Sequence, residues 1–267
     1  MKKIIAIALT LVICLGLLAG CGAKKDEKVI TVAASPTPHA WILKVAAEVL
    51  EEDGWTLEIV EYSDYVIPNT VVDEGEMDAN YFQHTPYLDD FNAKNGTKLV
   101  SVAGVHYEPF AVYPGTKTSL EDLAAGDKIA VPNDGSNRAR ALMLLEHAGL
   151  ITLKEGVGMG ATILDIEENP IGLQIVEMEA AQIAGVRDSV ALAVINGNYA
   201  LAAGLFAGND GVVVEDPANA TVYTNILVVK EGNENSEKTK ALIKALQSET
   251  VADYLNTAFP GSVVPVN

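Results

Sequence analysis

The sequence predicts an α/β protein of two lobes joined by two crossings of the chain, and three observations predict it. From Val29 onward a strand, a helix and a second strand follow one another, the order of a right-handed parallel crossover. After Pro114-Gly115 the pattern restarts. A further strand and amphipathic helix near the C-terminus are then left to complete the first lobe. The expected first lobe is 29–110 with 225–267 and the second is 111–224, with crossings near Tyr107 to Tyr113 and Tyr223 to Asn225.

Residues 1–20 stand apart: Lys2 and Lys3 form a basic end before the apolar run Ile4 to Leu18, the pattern of a secretion signal. The run is shorter than the ~20 residues a bilayer span needs. Residues 21–28 are short, polar and charged and read as a tether.

Val29 to Ala34 is β-branched and alanine-rich, as expected of a strand covered on both faces. Thr37 is placed to cap a helix starting at Pro38, with Ile42, Val45, Ala46, Val49 and Leu50 inward and Gly54 at its end. Leu57 to Glu61 alternates as a strand, and Pro68 opens a short helix that stops at Gly75. Leu99 to Val105 is a strand. In the second lobe Ile129 to Val131 is a buried strand, and a helix with Ala141, Leu142, Leu145 and Ala148 inward runs to Gly149. Gly156 to Gly160 lacks both a preceding strand and a P-loop lysine, and reads as loop. Leu173 to Val176 and Val190 to Ile195 are strands around a short helix from Glu179 to Ala184. Asn196 to Tyr199 opens an alanine-rich helix, Ile226 to Val229 is a strand, and Ser236 to Gln247 is an amphipathic helix.

Asp78 to Asp90 gathers Tyr81, Phe82, Gln83, His84 and Tyr87 around one helix start. Thr85 is placed to cap a helix beginning at Pro86. Strict alternation puts Phe82 and His84 on one face and Tyr81 and Gln83 on the other. An apolar and a polar ring side by side suit a ligand with a greasy end and a polar end; the plainer alternative is a core Phe and a backbone-satisfied His.

The 267 residues, 49% hydrophobic and 20% charged, suffice for one large or two modest domains. With the signal removed, sixteen basic residues face 36 acidic ones, a net charge of −20, which excludes nucleic acid as the natural partner. Cys14 leaves with the signal, so the remaining Cys21 forms no disulfide and no thiol nucleophile is expected.

Leu18-Ala19-Gly20-Cys21 resembles the lipobox of bacterial lipoproteins, in which Cys21 would be acylated and become the mature N-terminus. The mature chain resembles the NlpA-type methionine-binding lipoprotein family, the substrate-binding components of methionine ABC importers. The resemblance is carried by Glu61-Tyr62-Ser63-Asp64-Tyr65 with Pro68-Asn69, Asp78-Ala79-Asn80 with Phe82-Gln83-His84 and Pro86-Tyr87-Leu88, and His106 with Glu108-Pro109. It continues through Pro132-Asn133-Asp134, Asn137 with Arg140-Ala141-Leu142, Glu179 to Gln182, Val194 to Ala200 and Gly261 to Pro265. Phe110, Trp41 and Gly135-Ser136 depart from the family's usual methionine, acidic residue and Pro-Thr, and the proline expected after Ile183 is absent.

The resemblance implies a type 2-like periplasmic-binding-protein fold and a lipid-anchored protein on the extracytoplasmic face of the cell membrane. Its partners would be methionine, L-methionine foremost, and a permease and ATPase complex. A methionine derivative or dipeptide is the alternative ligand. No cofactor is expected. Tyr65, Phe82, His84 and Tyr87 would cage the thioether, with His106 nearby. Arg140, in the first turn of its helix, is suited to a bidentate pair with the ligand's carboxylate, with Asn137 on the same face. Asn196, Asn198 and Asn225 would take the ammonium through their side-chain oxygens; turn chemistry is their plainer reading. His39 and His147 read as capping residues. A metal-binding lipoprotein is a second reading, with His84, His106 and Glu108 as ligands. Catalysis ranks last, because Gly-x-Ser-x-Gly, His-Glu-x-x-His and Gly-Lys-Ser/Thr are all absent.

Overall fold

A computed structural model describes residues 28–266. The expected signal peptide, Cys21 and all of the tether but Lys28 lie outside the described residues. Along the chain run β1 (Val29–Ala34), α1 (Trp41–Glu52), β2 (Thr56–Glu61), α2 (Ile67–Asp73), β3 (Ala79–His84), α3 (Thr85–Asn95) and β4 (Leu99–Tyr107). The second half of the fold follows as β5 (Ala111–Pro114), β6 (Lys128–Pro132), α4 (Gly135–His147), β7 (Thr152–Leu153), β8 (Ile166–Glu168), β9 (Gln174–Met178), α5 (Ala180–Val186), β10 (Leu192–Ile195), α6 (Gly197–Ala202), α7 (Ala207–Asp210) and β11 (Val213–Val214). β12 (Thr224–Lys230), α8 (Glu237–Leu246), α9 (Glu249–Ala258) and β13 (Val264–Pro265) close the chain.

Two mixed sheets form the two lobes. The first has the order β13-β4-β12-β3-β1-β2 and the second β11-β5-β10-β6-β9. β1 is parallel to β2, with Val29 opposite Thr56, as the strand-helix-strand reading requires. β12 inserts antiparallel between β3 and β4, so the chain returns to the first sheet after building the second.

Burial explains the elements. Ile42, Leu43, Ala46 and Leu50 recur on one face of α1 and are buried against Ile30, Val32 and Ala34 of β1, each contributing about 1.5–3 kcal/mol for the larger side chains. α8 and α9 cover the same face through Leu242, Leu246, Val251 and Leu255. Ser236 and Ser248 cap these helices by accepting from the backbone N–H of Thr239 and Val251. The opposite face of the first sheet carries an aromatic cluster of Tyr65, Phe82, Tyr87 and Phe91, joined by Ala180 from the second lobe.

Several local expectations are corrected. Thr37 has extended backbone and is followed by a tight turn, so regular helix begins at Trp41 rather than Pro38. His84, not Thr85, caps α3: its backbone is extended and its Nδ1 accepts from the Tyr87 N–H at 3.2 Å. β3 does not alternate strictly. Ile226 pairs with Gln83 and Leu227 with Tyr81, leaving Phe82 as the extra residue of a bulge. The bulge brings Gln83 round to bond Asn80 and Asn69, at 2.9 and 2.6 Å. α9 was not anticipated, although Ser248 is a typical cap.

Candidate ligand-binding site

A small cavity, tightly closed by the surrounding side chains, lies between the sheets. Among the residues expected from sequence, Tyr65, Phe82, His84, Tyr87, Asn137, Arg140, Asn196, Asn198 and Asn225 line it. His106 does not; it is fully buried behind the wall. Gln83, which belongs to the ring-rich stretch 78–90, Glu108, expected as a metal ligand, and Gly197 also line the cavity. Only the β3 bulge exposes Gln83 there, and no sequence pattern announces it.

The first lobe supplies the apolar wall. Tyr65 lies 5.7 Å from Phe82 and 5.6 Å from Tyr87, the second contact edge-on, and Tyr87 donates its hydroxyl to the Tyr65 carbonyl at 3.0 Å. Tyr65 donates in turn to Asn198 Oδ1 across the cleft, and Tyr199 donates to the Ser63 carbonyl at 2.9 Å. These bonds tie the lobes together in a closed arrangement.

The amides of the polar wall are oriented by a chain of bonds starting at Asp134, which caps α4 and can only accept. Asn137 therefore turns its Nδ2 to Asp134, at 3.0 and 3.1 Å, and its Oδ1 outward. That oxygen accepts from His84 Nε2 at 3.1 Å and from Asn196 Nδ2 at 2.9 Å. His84 must carry its proton on Nε2, because its Nδ1 already accepts from the backbone. Burial, reinforced by the charge of Arg140, lowers its pKa to about 3, so the ring is neutral. Asn196 is left with Oδ1 buried and unpartnered.

Arg140 sits in the second turn of α4 rather than the first, beyond the free N–H groups of the helix end. Its guanidinium is already engaged within the protein. Nε donates to Glu215 Oε1 at 2.9 Å, Nη2 donates to Glu215 Oε2, and Nη2 also reaches the Glu108 carbonyl at 3.2 Å. Tyr223 stacks 3.9 Å from it and Phe110 4.7 Å. Burial disfavours the cation, but the bonds and charge of Glu215 outweigh it and raise the Arg140 pKa. The fork expected to face a ligand thus faces Glu215, and Nη1 is the edge left over. Glu215 had no sequence signal: it stands in a loop, far along the chain from its partner.

Glu108, at the first crossing between lobes, heads a buried network. Tyr81 donates its hydroxyl to His106 Nδ1, and His106 Nε2 donates to Glu108 Oε1 at 2.8 Å. His39 Nε2 lies 2.9 Å from Asn225 Oδ1 and 3.6 Å from Glu108 Oε1; facing two oxygens, it carries the proton. His39 is fully buried. Burial lowers the pKa of His39 to about 4 and of His106 to about 3, and raises that of Glu108.

Among the described residues, His39, His106 and Glu108 form the one group able to hold a metal ion, with donor atoms within 4.8 Å of one another. His84, expected in such a group, is not part of it. Both ring Nε2 atoms already donate to protein oxygens, so these residues fit a hydrogen-bonded support for Glu108 better than a ligand set.

Gly197 begins α6 against Glu108. A Cβ there would stand 2.7 Å from both Glu108 Cβ and Oε2. Gly197→Ala is expected to cost about 1–3 kcal/mol by overpacking. Urea unfolding measures this, and stability equal to the parent would contradict the rigid seating of Glu108.

The sequence matches the model of the NlpA lipoprotein family over residues 30–267. It is 43% identical to the D-methionine-binding lipoprotein MetQ of Salmonella typhimurium, over 92% of each chain. Among solved structures, a nutrient-binding protein from Burkholderia cenocepacia bound to methionine is 41% identical with a TM-score of 0.86, covering 89% of this chain and 100% of that one. A periplasmic substrate-binding protein of an ABC transporter from Coxiella burnetii is 39% identical with a TM-score of 0.84, covering 88% of this chain and 99% of that one. With two mixed sheets enclosing a cavity of aromatic rings, amides and one arginine, and a family match along nearly the whole described length, the chain belongs to the NlpA lipoprotein family.

Proposed function

We propose that this protein is a lipid-anchored, extracytoplasmic solute-binding protein that captures methionine, foremost L-methionine, and delivers it to the permease and ATPase of an ABC importer. The observation that carries the reading is the division of the cavity wall. Aromatic rings line one side and an arginine with oriented amides the other, which matches a ligand that is a thioether at one end and a zwitterion at the other. Tyr65, Phe82 and Tyr87 would hold the thioether, each sulfur–ring contact contributing about 0.3–1.5 kcal/mol. The relatives' names and the methionine-bound neighbour support the same ligand class. The leftover Nη1 of Arg140 would meet the carboxylate. The Asn225 oxygen accepts from His39, which leaves its Nδ2 as a donor for the same ligand group and one lone pair of the oxygen for the ammonium. Asn198 likewise has its oxygen occupied by Tyr65.

Native mass spectrometry of the protein as purified, before and after exhaustive chelation, tests the reading. The expected result is one methionine per chain, retained or rebound on addition, with no change on chelation. Loss of methionine binding on chelation, restored by zinc, would overturn it in favour of the metal reading.

A further inference from the structure

Arg140 stands on α4 of the second lobe, but most of what touches its guanidinium comes from the two crossings between the lobes. Nη2 reaches the carbonyl of Glu108, and the rings of Phe110 and Tyr223 lie against the guanidinium. Glu215, its charged partner, is fixed from the first crossing as well. The Glu215 backbone N–H donates to the Phe110 carbonyl at 2.8 Å. Its Oε2 accepts from the Tyr107 hydroxyl at 2.7 Å and, more distantly, from the Phe110 N–H at 3.4 Å.

Tyr107 belongs to the first lobe. It is the last residue of β4, set opposite Thr224 of β12 and Val264 of β13, and its side chain is buried. Burial, and then the charge of Glu215, raise the pKa of its hydroxyl, which therefore keeps its proton and donates. A donor from the first lobe thus fixes the carboxylate that holds the arginine of the second. Neither Tyr107 nor Glu215 is among the residues lining the ligand cavity.

We propose that Tyr107 is a positioning residue for Arg140: acting through Glu215, it aims the remaining edge of the guanidinium into the cavity. This rests on the methionine reading above, in which Nη1 would meet the ligand's carboxylate. The guanidinium is planar and rigid, so any rotation of the Glu215 carboxylate turns Nη1 with it. Two bonds to the arginine alone leave that rotation open, because both partners can turn together. The Tyr107 hydroxyl, bonded to Oε2 from a different lobe, removes the freedom and holds the fork at the angle a ligand needs. The hydroxyl touches no ligand itself.

The test compares the parent with Tyr107→Phe, which keeps the buried ring and deletes only the donor. Titration calorimetry is run on both proteins with methionine and with methionine methyl ester, and urea unfolding measures the stability of each. In the variant, methionine is expected to bind about tenfold more weakly, what the loss of one hydrogen bond to a charged group amounts to. The ester, which brings no carboxylate to Nη1, should stay within about twofold of its affinity for the parent. A merely structural hydroxyl would lower the unfolding midpoint and leave the ratio of acid to ester affinity unchanged, and that result would overturn the proposal, as would equal weakening of both ligands. The route through Glu215 is read from the NMR signal of the Arg140 Nε–H, which donates to Glu215 Oε1. That signal is expected to move in Tyr107→Phe; an unmoved signal beside a lost affinity also overturns the proposal. If the parent prefers the acid and the variant keeps that preference, the proposal falls while the methionine reading stands; if the parent binds no methionine, both fall.

Discussion

Glu215→Ala is expected to destabilise the protein by about 3–5 kcal/mol, the cost of leaving one member of a buried ion pair without the other. Both side chains are nearly inaccessible, 5% exposed for Arg140 and 4% for Glu215. The truncation strands the guanidinium and also leaves the Tyr107 hydroxyl without its acceptor. Replacing both members by apolar residues, Arg140→Met with Glu215→Leu, should recover most of the loss, because the desolvation cost of the pair disappears along with its attraction. Denaturant titration at constant slope reads both effects. A loss below about 1 kcal/mol for Glu215→Ala would mean that water reaches the pair.

Arg140→Lys is expected to weaken methionine binding by about 2–5 kcal/mol, the range for disrupting a buried charge contact. A lysine retains a cation for Glu215, but a single ammonium drawn to that carboxylate has no second edge to offer a ligand, and it loses the planar stack on Tyr223. In the proposed reading the fork is divided: Nε and Nη2 hold Glu215, and Nη1 would meet the ligand. A dissociation constant for Arg140→Lys within threefold of the parent in calorimetry would contradict this division.

The fold was legible where periodicity and punctuation agree. β1 runs over Val29–Ala34 as the apolar run predicts, and Gly54, Gly75 and Gly149 follow helix ends with the positive φ that favours glycine. The cavity's lining was legible because its residues stand in compact motifs after strand ends. What was not legible depends on pairing between distant segments. The bulge at Phe82 exists only in the register of β3 against β12, and without it Gln83 would face away. Glu215 meets Arg140 only once the second lobe is folded. His39 looked like a cap because it precedes a helix, and its contact with Asn225 and Glu108 is made across the first sheet. The direction in which each asparagine points, which decides what the ligand must offer, follows from a chain of bonds beginning at Asp134 and cannot be read from residue type.

The central claim is that the cavity holds methionine by both its thioether and its zwitterionic end, with the carboxylate at Arg140. Titration calorimetry of the parent protein with methionine and with methionine methyl ester tests it most directly, since the ester keeps the amine and side chain and loses the carboxylate's charge. The predicted result is saturable one-to-one binding of methionine and loss of most of that affinity for the ester. Equal binding of ester and acid, or no binding of methionine, would contradict the account.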